Sequence, residues 1–167
     1  MRWVRTWPAR IPEGRAHVVD ALPRIVIERS DYNYVPVLEQ IGEDTVIIEW
    51  DIAVSAEDRG RFTALCEADP ERVHVAPYPL YPVSTNLPEP VWAHRRVGRN
   101  PPWINQLDGV CDLFSFGLVY LPHSIIGKYL ATKPEVTGDA IFSKWHHSQG
   151  LGPVPVHWDV RPVHLHY

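Results

Sequence analysis

Apolar and polar positions alternate in short blocks along this chain, and each block predicts an element. Residues 2 to 7 predict a first strand, broken at Pro8, and Ile11 to Leu22 predicts a helix that ends before Pro23. Arg24-Ile25-Val26-Ile27-Glu28 predicts a second strand. The polar turn Ser30-Asp31-Tyr32-Asn33 follows, then a short helix around Val35 to Ile41 and a third strand in the β-branched run Thr45-Val46-Ile47-Ile48. This β-α-β-α-β rhythm favours a mostly parallel sheet covered by helices, with ligands at the carboxyl ends of its strands. Ser55, with Glu57 and Asp58 in the next turn, opens a further helix to about Ala68, which Pro70 ends.

From Ala76 to Asn105 the pattern changes. Pro77, Pro79, Pro82, Pro88, Pro90, Pro101 and Pro102 fall among Tyr78, Tyr81, Trp92 and Trp103. Proline at that density fixes φ and removes donors, which predicts a long semi-rigid loop. Its aromatic content suits either a binding loop or a cover over the core. Beyond it, Phe114 to Leu121 predicts a buried strand with Gly117 in its interior, a residue that often marks close approach of a ligand or another backbone. Pro122 to Ala131 and Asp139 to about Gln149 predict two helices, the second stopped by Gly150. Val154 to Trp158 reads as a last strand-like segment before the tail Pro162-Val163-His164-Leu165-His166-Tyr167.

The chain has 167 residues, of which 45% are hydrophobic and 22% charged, which suits one domain with one substantial core. Within it, residues 1–55 form a first part, 76–106 the proline and aromatic loop and 107–167 a closing part. A net charge of -4 without clustered Lys and Arg argues against nucleic acid as a partner. Cys66 and Cys111 lack metal-ligand spacing and read as buried small hydrophobes. No apolar stretch approaches a membrane span or a signal sequence, which predicts a soluble, cytoplasmic protein without a membrane span.

The chemistry concentrates in Glu49-Trp50-Asp51, at the end of the third predicted strand. In a strand, residues i and i+2 share a face roughly 6.5 to 7 Å apart, so one carboxylate can ligate a cation directly and the other through water. A solvated strand end is the plainer alternative. His164 and His166 have the same spacing in an extended tail, and imidazole with carboxylate and water is a plausible donor set for manganese. Asp139 opens a helix, where its carboxylate either caps the backbone or serves as a general base.

In that order, these features resemble the small GT-A-type glycosyltransferases. In that family an apolar strand ends in an acid-x-acid motif, matched here by Glu49-Trp50-Asp51 with Glu in place of the commoner first Asp. A glycine-bearing strand is similar to Phe114-Ser115-Phe116-Gly117-Leu118-Val119-Tyr120, an acid at a helix start to Gly138-Asp139, and a late histidine to His164 or His166. The resemblance implies a GT-A-like three-layer α/β/α sandwich with a mixed, mostly parallel central sheet, in compact form. It implies Mn2+ or Mg2+ held by Asp51 with His164 or His166, and a nucleotide-diphosphate sugar as donor. Glu49, Trp50 and Gly117 would lie against that donor, and Thr6, Pro8, Arg10, Glu28 and Asp31 would hold its base and ribose. Asp139 would be the catalytic base, acting on a glycan or protein hydroxyl acceptor. A metal-dependent hydrolase, or a non-catalytic carbohydrate- or nucleotide-binding module, are the alternatives the residues leave open.

Overall fold

The computed structural model describes residues 1–11, 13, 15, 17–27, 33–80 and 89–165. Its frame is a five-stranded sheet made by β1 (Arg2–Pro8), β2 (Arg24–Ile27), β3 (Thr45–Ile48), β5 (His74–Val75) and β9 (Leu118–Leu121), in the order β2-β1-β3-β9-β5. β1 runs parallel to both β2 and β3, and β9 alone is reversed, pairing antiparallel with β3 and β5. The sheet is therefore mixed and mostly parallel. β1 pairs through Arg2 to Arg5 with β3 and through Arg5 to Pro8 with β2. That stagger leaves a step at the carboxyl edge, where Thr6 outruns the end of β3.

Apolar side chains leave both faces of the sheet, and each face has its own core. On one, Val4, Ile25, Ile47, Val119 and Leu121 pack against α1 (Val35–Glu39), α3 (His123–Leu130) and α4 (Asp139–Ser148), through Leu38, Ile126 and Phe142 among others. On the other, Val46, Ile48, Leu118 and Tyr120 meet Phe62 and Cys66 of α2 (Ala56–Ala68). The Ser55 hydroxyl caps α2, accepting from Asp58 N–H at 3.0 Å. Both cysteines are buried and reduced. Among the described residues no helix is long and apolar enough to cross a membrane.

Three expected elements differ. The helix over Ile11 to Leu22 is absent from the described residues there. Val18 N–H is instead bonded across to Trp50 O (2.9 Å), which takes it from the i−4 carbonyl of a helix, and the Asp20 carboxylate reaches Arg5 of β1. The strand over Phe114 to Leu121 shortens to its last four residues, because Phe114 and Phe116 turn into the first core. The proline-rich loop carries local pairing: β6 (Pro79–Leu80) with β7 (Val91–Trp92), and Arg95 bridged to Trp103 and Leu113. Residues 81–88 lie outside the described part.

Two further short pairings close the fold. β8 (Val110–Cys111) joins β10 (Val154–Pro155), and β4 (Ile52–Ala53) joins β11 (Val163–His164), all antiparallel. The second brings the C-terminal tail to the acidic tripeptide.

Candidate functional site

Glu49, Trp50 and Asp51 link β3 to β4, and the chain turns through them, with Ile52 N–H donating to Glu49 O at 3.2 Å. The strand spacing expected for the two acids therefore does not apply. What fixes the turn is Arg5, 1% exposed in the middle of β1. Its Nη1 donates to Glu49 O and, at 3.0 Å, to Ile52 O; its Nη2 and Nε donate to the Asp20 carboxylate at 2.6 and 3.3 Å. Burial pushes the Asp20 carboxyl up, but the bond and charge of Arg5 outweigh it and hold the group below its ordinary range.

Three carboxylates converge at the stepped edge. Glu49 accepts from the Tyr34 hydroxyl at 2.8 Å, and its N–H donates to Gly117 O at 3.1 Å. Burial first, then repulsion from Asp51 and Asp139, push its carboxyl up to about 8, against the pull of the Tyr34 bond. Asp139, first residue of α4, is also raised: burial outweighs the N–H groups of Ala140 and Phe116 and the charge of Arg95. The Tyr34 and Tyr78 hydroxyls lie in the same field; burial and then Glu49 drive both well above their usual range. Thr6 is fully buried beside the Tyr34 hydroxyl.

Asp51 receives the tail. Its Oδ2 lies 3.2 Å from His164 Nε2, and its carbonyl accepts from Leu165 N–H at 2.9 Å. Tyr78 packs edge-on against the His164 ring, with centroids 5.7 Å apart, and shares a 2.7 Å hydrogen bond with the Ser115 hydroxyl. The same ring fills the space beside Gly117: a Cβ there would stand 2.2 Å from it. The close approach at Gly117 is thus made by a side chain of this protein.

Of the residues singled out in the sequence, Glu49, Asp51, Asp139, His164, Gly117 and Thr6 come together. Trp50 is buried with its carbonyl on Val18 N–H, Pro8 is buried at the end of β1, and Arg10 is exposed beyond it. Glu28, Asp31 and His166 lie outside the described residues. Arg5, Asp20, Tyr34, Tyr78 and Ser115 escaped sequence reasoning. For Arg5 a signal was present: a cation between Trp3 and Trp7 on one face of a strand points to a buried ionic role.

No family model matches the sequence, and neither does any curated protein. The fold, however, has a solved counterpart. The crystal structure of A197 from STIV superposes over 100% of this chain and 87% of that one, with a TM-score of 0.63 and 11% identity. At that identity the likeness concerns the fold alone.

Asp51 and His164 suit a divalent ion in donor type, as a carboxylate and an imidazole fixed by paired strands, beside a Glu49 whose carboxyl burial, and then repulsion from Asp51 and Asp139, push up to about 8. Among the described residues no group of three or more His, Cys, Asp or Glu is arranged to hold a metal by itself. Two protein ligands with waters and ligand phosphates is a common arrangement for ions of the magnesium type.

The site and its surroundings set a pH response. Burial pushes His94, His146 and His157 down to about 4, with the charges of His147 and His74 adding to the effect at His146 and His157. His157 Nε2 lies 2.9 Å from His74 Nδ1, while His74 Nε2 donates to Asp69 O at 2.7 Å, so both rings are neutral when paired. These groups bind protons more readily when unfolded, so their stabilisation is complete above about 6.5 and is lost as pH falls toward 4. Glu49 acts oppositely: its stabilisation is complete below 4.5 and is lost as pH rises through about 8. Urea unfolding followed by Trp fluorescence in metal-free buffer is expected to give maximal stability near pH 6.5, with losses on the order of a few kcal/mol on each side. Glu49→Gln flattens the alkaline limb; an unchanged limb in that variant would place its cause elsewhere.

Proposed function

We propose that this protein is a metal-dependent glycosyltransferase with a GT-A-like fold, moving a sugar from a nucleotide-diphosphate donor to a hydroxyl acceptor. The observation that carries the reading is the Asp51 and His164 pair, joined across 113 positions of sequence and set beside Glu49 and Asp139 at the carboxyl edge of a mostly parallel sheet. Such edges are where open α/β sheets bind ligands.

Asp51 and His164 would hold Mn2+ or Mg2+, with His166 as a further ligand from the same tail. A bound cation would supply Lewis-acid stabilisation of the charge that builds on the leaving diphosphate. Arg10, Glu28 and Asp31 would face the nucleoside and Glu49 the rest of the donor, whereas Thr6, Pro8 and Trp50 are buried and Tyr78 fills the space beside Gly117, so these four do not line it. Asp139 would take the proton of the acceptor hydroxyl as its oxygen forms the new bond to the sugar, and burial makes this carboxylate a stronger base than an exposed one. Tyr34 and Tyr78 keep the floor of the site closed to water.

A thermal-shift panel of UDP, GDP and ADP, each with MnCl2 and with a chelator, tests the reading. One nucleoside diphosphate is expected to stabilise the protein only with manganese, by about 2.7 kcal/mol at a hundredfold excess over its Kd. A second reading, a carbohydrate-binding module, is favoured by a cleft of about 520 Å3 where Trp92 and Trp158 meet edge to face at 5.0 Å. Stabilisation by free saccharides and by none of the nucleotides would select it.

A further inference from the structure

A second cavity, of about 110 Å3 and open to solvent, adjoins Asp139. The first turns of α4 supply Asp139, Ser143 and Lys144, and the opposite wall supplies Arg95, Phe114 and Ser115. Its volume admits one small ring or one charged head, with the remainder of a ligand in solvent. Resting on the reading that Asp139 deprotonates an acceptor, we propose that the acceptor carries an anionic group, carboxylate or phosphate, which Arg95 and Lys144 hold in this cavity while its hydroxyl faces Asp139.

The charges argue for an anion. Arg96 and Arg99, on the same segment as Arg95, are each committed to a carboxylate: Arg96 to Asp112 at 2.9 Å and Arg99 to Asp108 at 2.8 Å. Arg95 and Lys144 form no ion pair within 4.0 Å among the described residues, although the chain as a whole is acidic. Two uncommitted cations on opposite walls of one cavity can share a single oxyanion, and a guanidinium can meet it with two parallel hydrogen bonds.

Arg95 is also held in place. Its N–H donates to Leu113 O at 2.9 Å, and its carbonyl accepts from Asp112 and Leu113 N–H at 2.9 and 3.1 Å. Its guanidinium lies over the Trp103 ring, 4.3 Å from the centroid. That stacking leaves the planar edge for a ligand and reduces the entropy lost on binding. The cations further offset the repulsion that Asp139, with Glu49 and Asp51 behind it, exerts on an incoming anion. Ser115 and Ser143 complete the lining, the Ser115 hydroxyl bonded to the Tyr78 hydroxyl at 2.7 Å and the Ser143 hydroxyl donating to Ala140 O at 3.4 Å, so the charge of the anion falls to Arg95 and Lys144.

Binding is measured by isothermal titration at low ionic strength, without donor or divalent cation, for glucuronate, glucose 6-phosphate and glucose. At least one anionic sugar is expected to bind about tenfold more tightly than glucose, a preference that weakens with added salt. Which of the two binds decides between carboxylate and phosphate. The double variant Arg95→Gln, Lys144→Gln is expected to lose the preference, and Arg95→Lys to retain part of it; both side chains are exposed, so folding is checked by the unchanged melting temperature. The proposal is overturned if the wild-type protein shows no anionic preference or if the double variant keeps it. Because neither donor nor metal is present, this outcome is independent of whether the manganese panel succeeds.

Discussion

Arg5→Met is expected to lower the unfolding free energy by about 3–5 kcal/mol, the largest loss of any single substitution on the sheet. Methionine fills much of the same space, so the loss does not come from a cavity. It comes from the groups left behind: the carbonyls of Glu49 and Ile52 and the Asp20 carboxylate all lose their donor within a largely closed interior. Arg5→Lys recovers only part, because an ammonium cannot reach two carbonyls and a carboxylate with the same planar fork. Urea titration of the variants measures the difference, and a loss below about 1 kcal/mol would mean that water replaces the guanidinium. The turn that carries Asp51 should loosen with it, so any cation affinity should fall in the same variants.

On the proposed reading as a metal-dependent transferase, Asp51→Ala is expected to reduce sugar transfer by at least about a hundredfold, since a single preorganised charge contact of this kind contributes roughly 3 kcal/mol to the transition state. His164→Ala should follow in the same direction with a smaller effect, because an imidazole can be replaced by water more easily than a charge. Rates are compared at saturating manganese for the donor identified by thermal shift, with and without chelator. If Asp51→Ala retains more than a tenth of the wild-type rate and that rate is still abolished by chelator, the cation binds elsewhere.

Much of the frame was legible because it rests on local pattern. The run Thr45 to Ile48 is a strand in any context that buries both its faces, and Ser55 caps α2 through its own nearest turn. What could not be read depended on contacts distant in sequence. Ile11 to Leu22 has the composition of a helix, yet Val18 is bonded to Trp50 in the turn after β3 and Asp20 to Arg5 of β1. Glu49 and Asp51 have the spacing of strand neighbours, whereas Glu49 N–H still meets Gly117 O and a turn held by Arg5 then carries Asp51 away from the sheet. The meeting of Asp51 with His164 was anticipated from residue type, but the two-residue pairing of β4 with β11 that produces it leaves no periodic signature. In the sequence Tyr78 is one aromatic among several in a proline-rich loop, and only the fold brings its ring to Gly117 and His164 and its hydroxyl to Ser115.

The reversed direction of β9 has an evolutionary side. A parallel strand delivers its following loop to the carboxyl edge, and β1 and β3 do so; β9 instead arrives there at its beginning, through Ser115, Phe116 and Gly117. Its own exit, at Leu121 and Pro122, is at the opposite end of the sheet. Insertions and deletions after β9 therefore change the length of the chain far from the carboxylates, while those after β3 or before β9 alter the site itself. The two ends of the sheet thus differ in how much a change of loop length disturbs the carboxylates, and the boundary between them passes through a single strand.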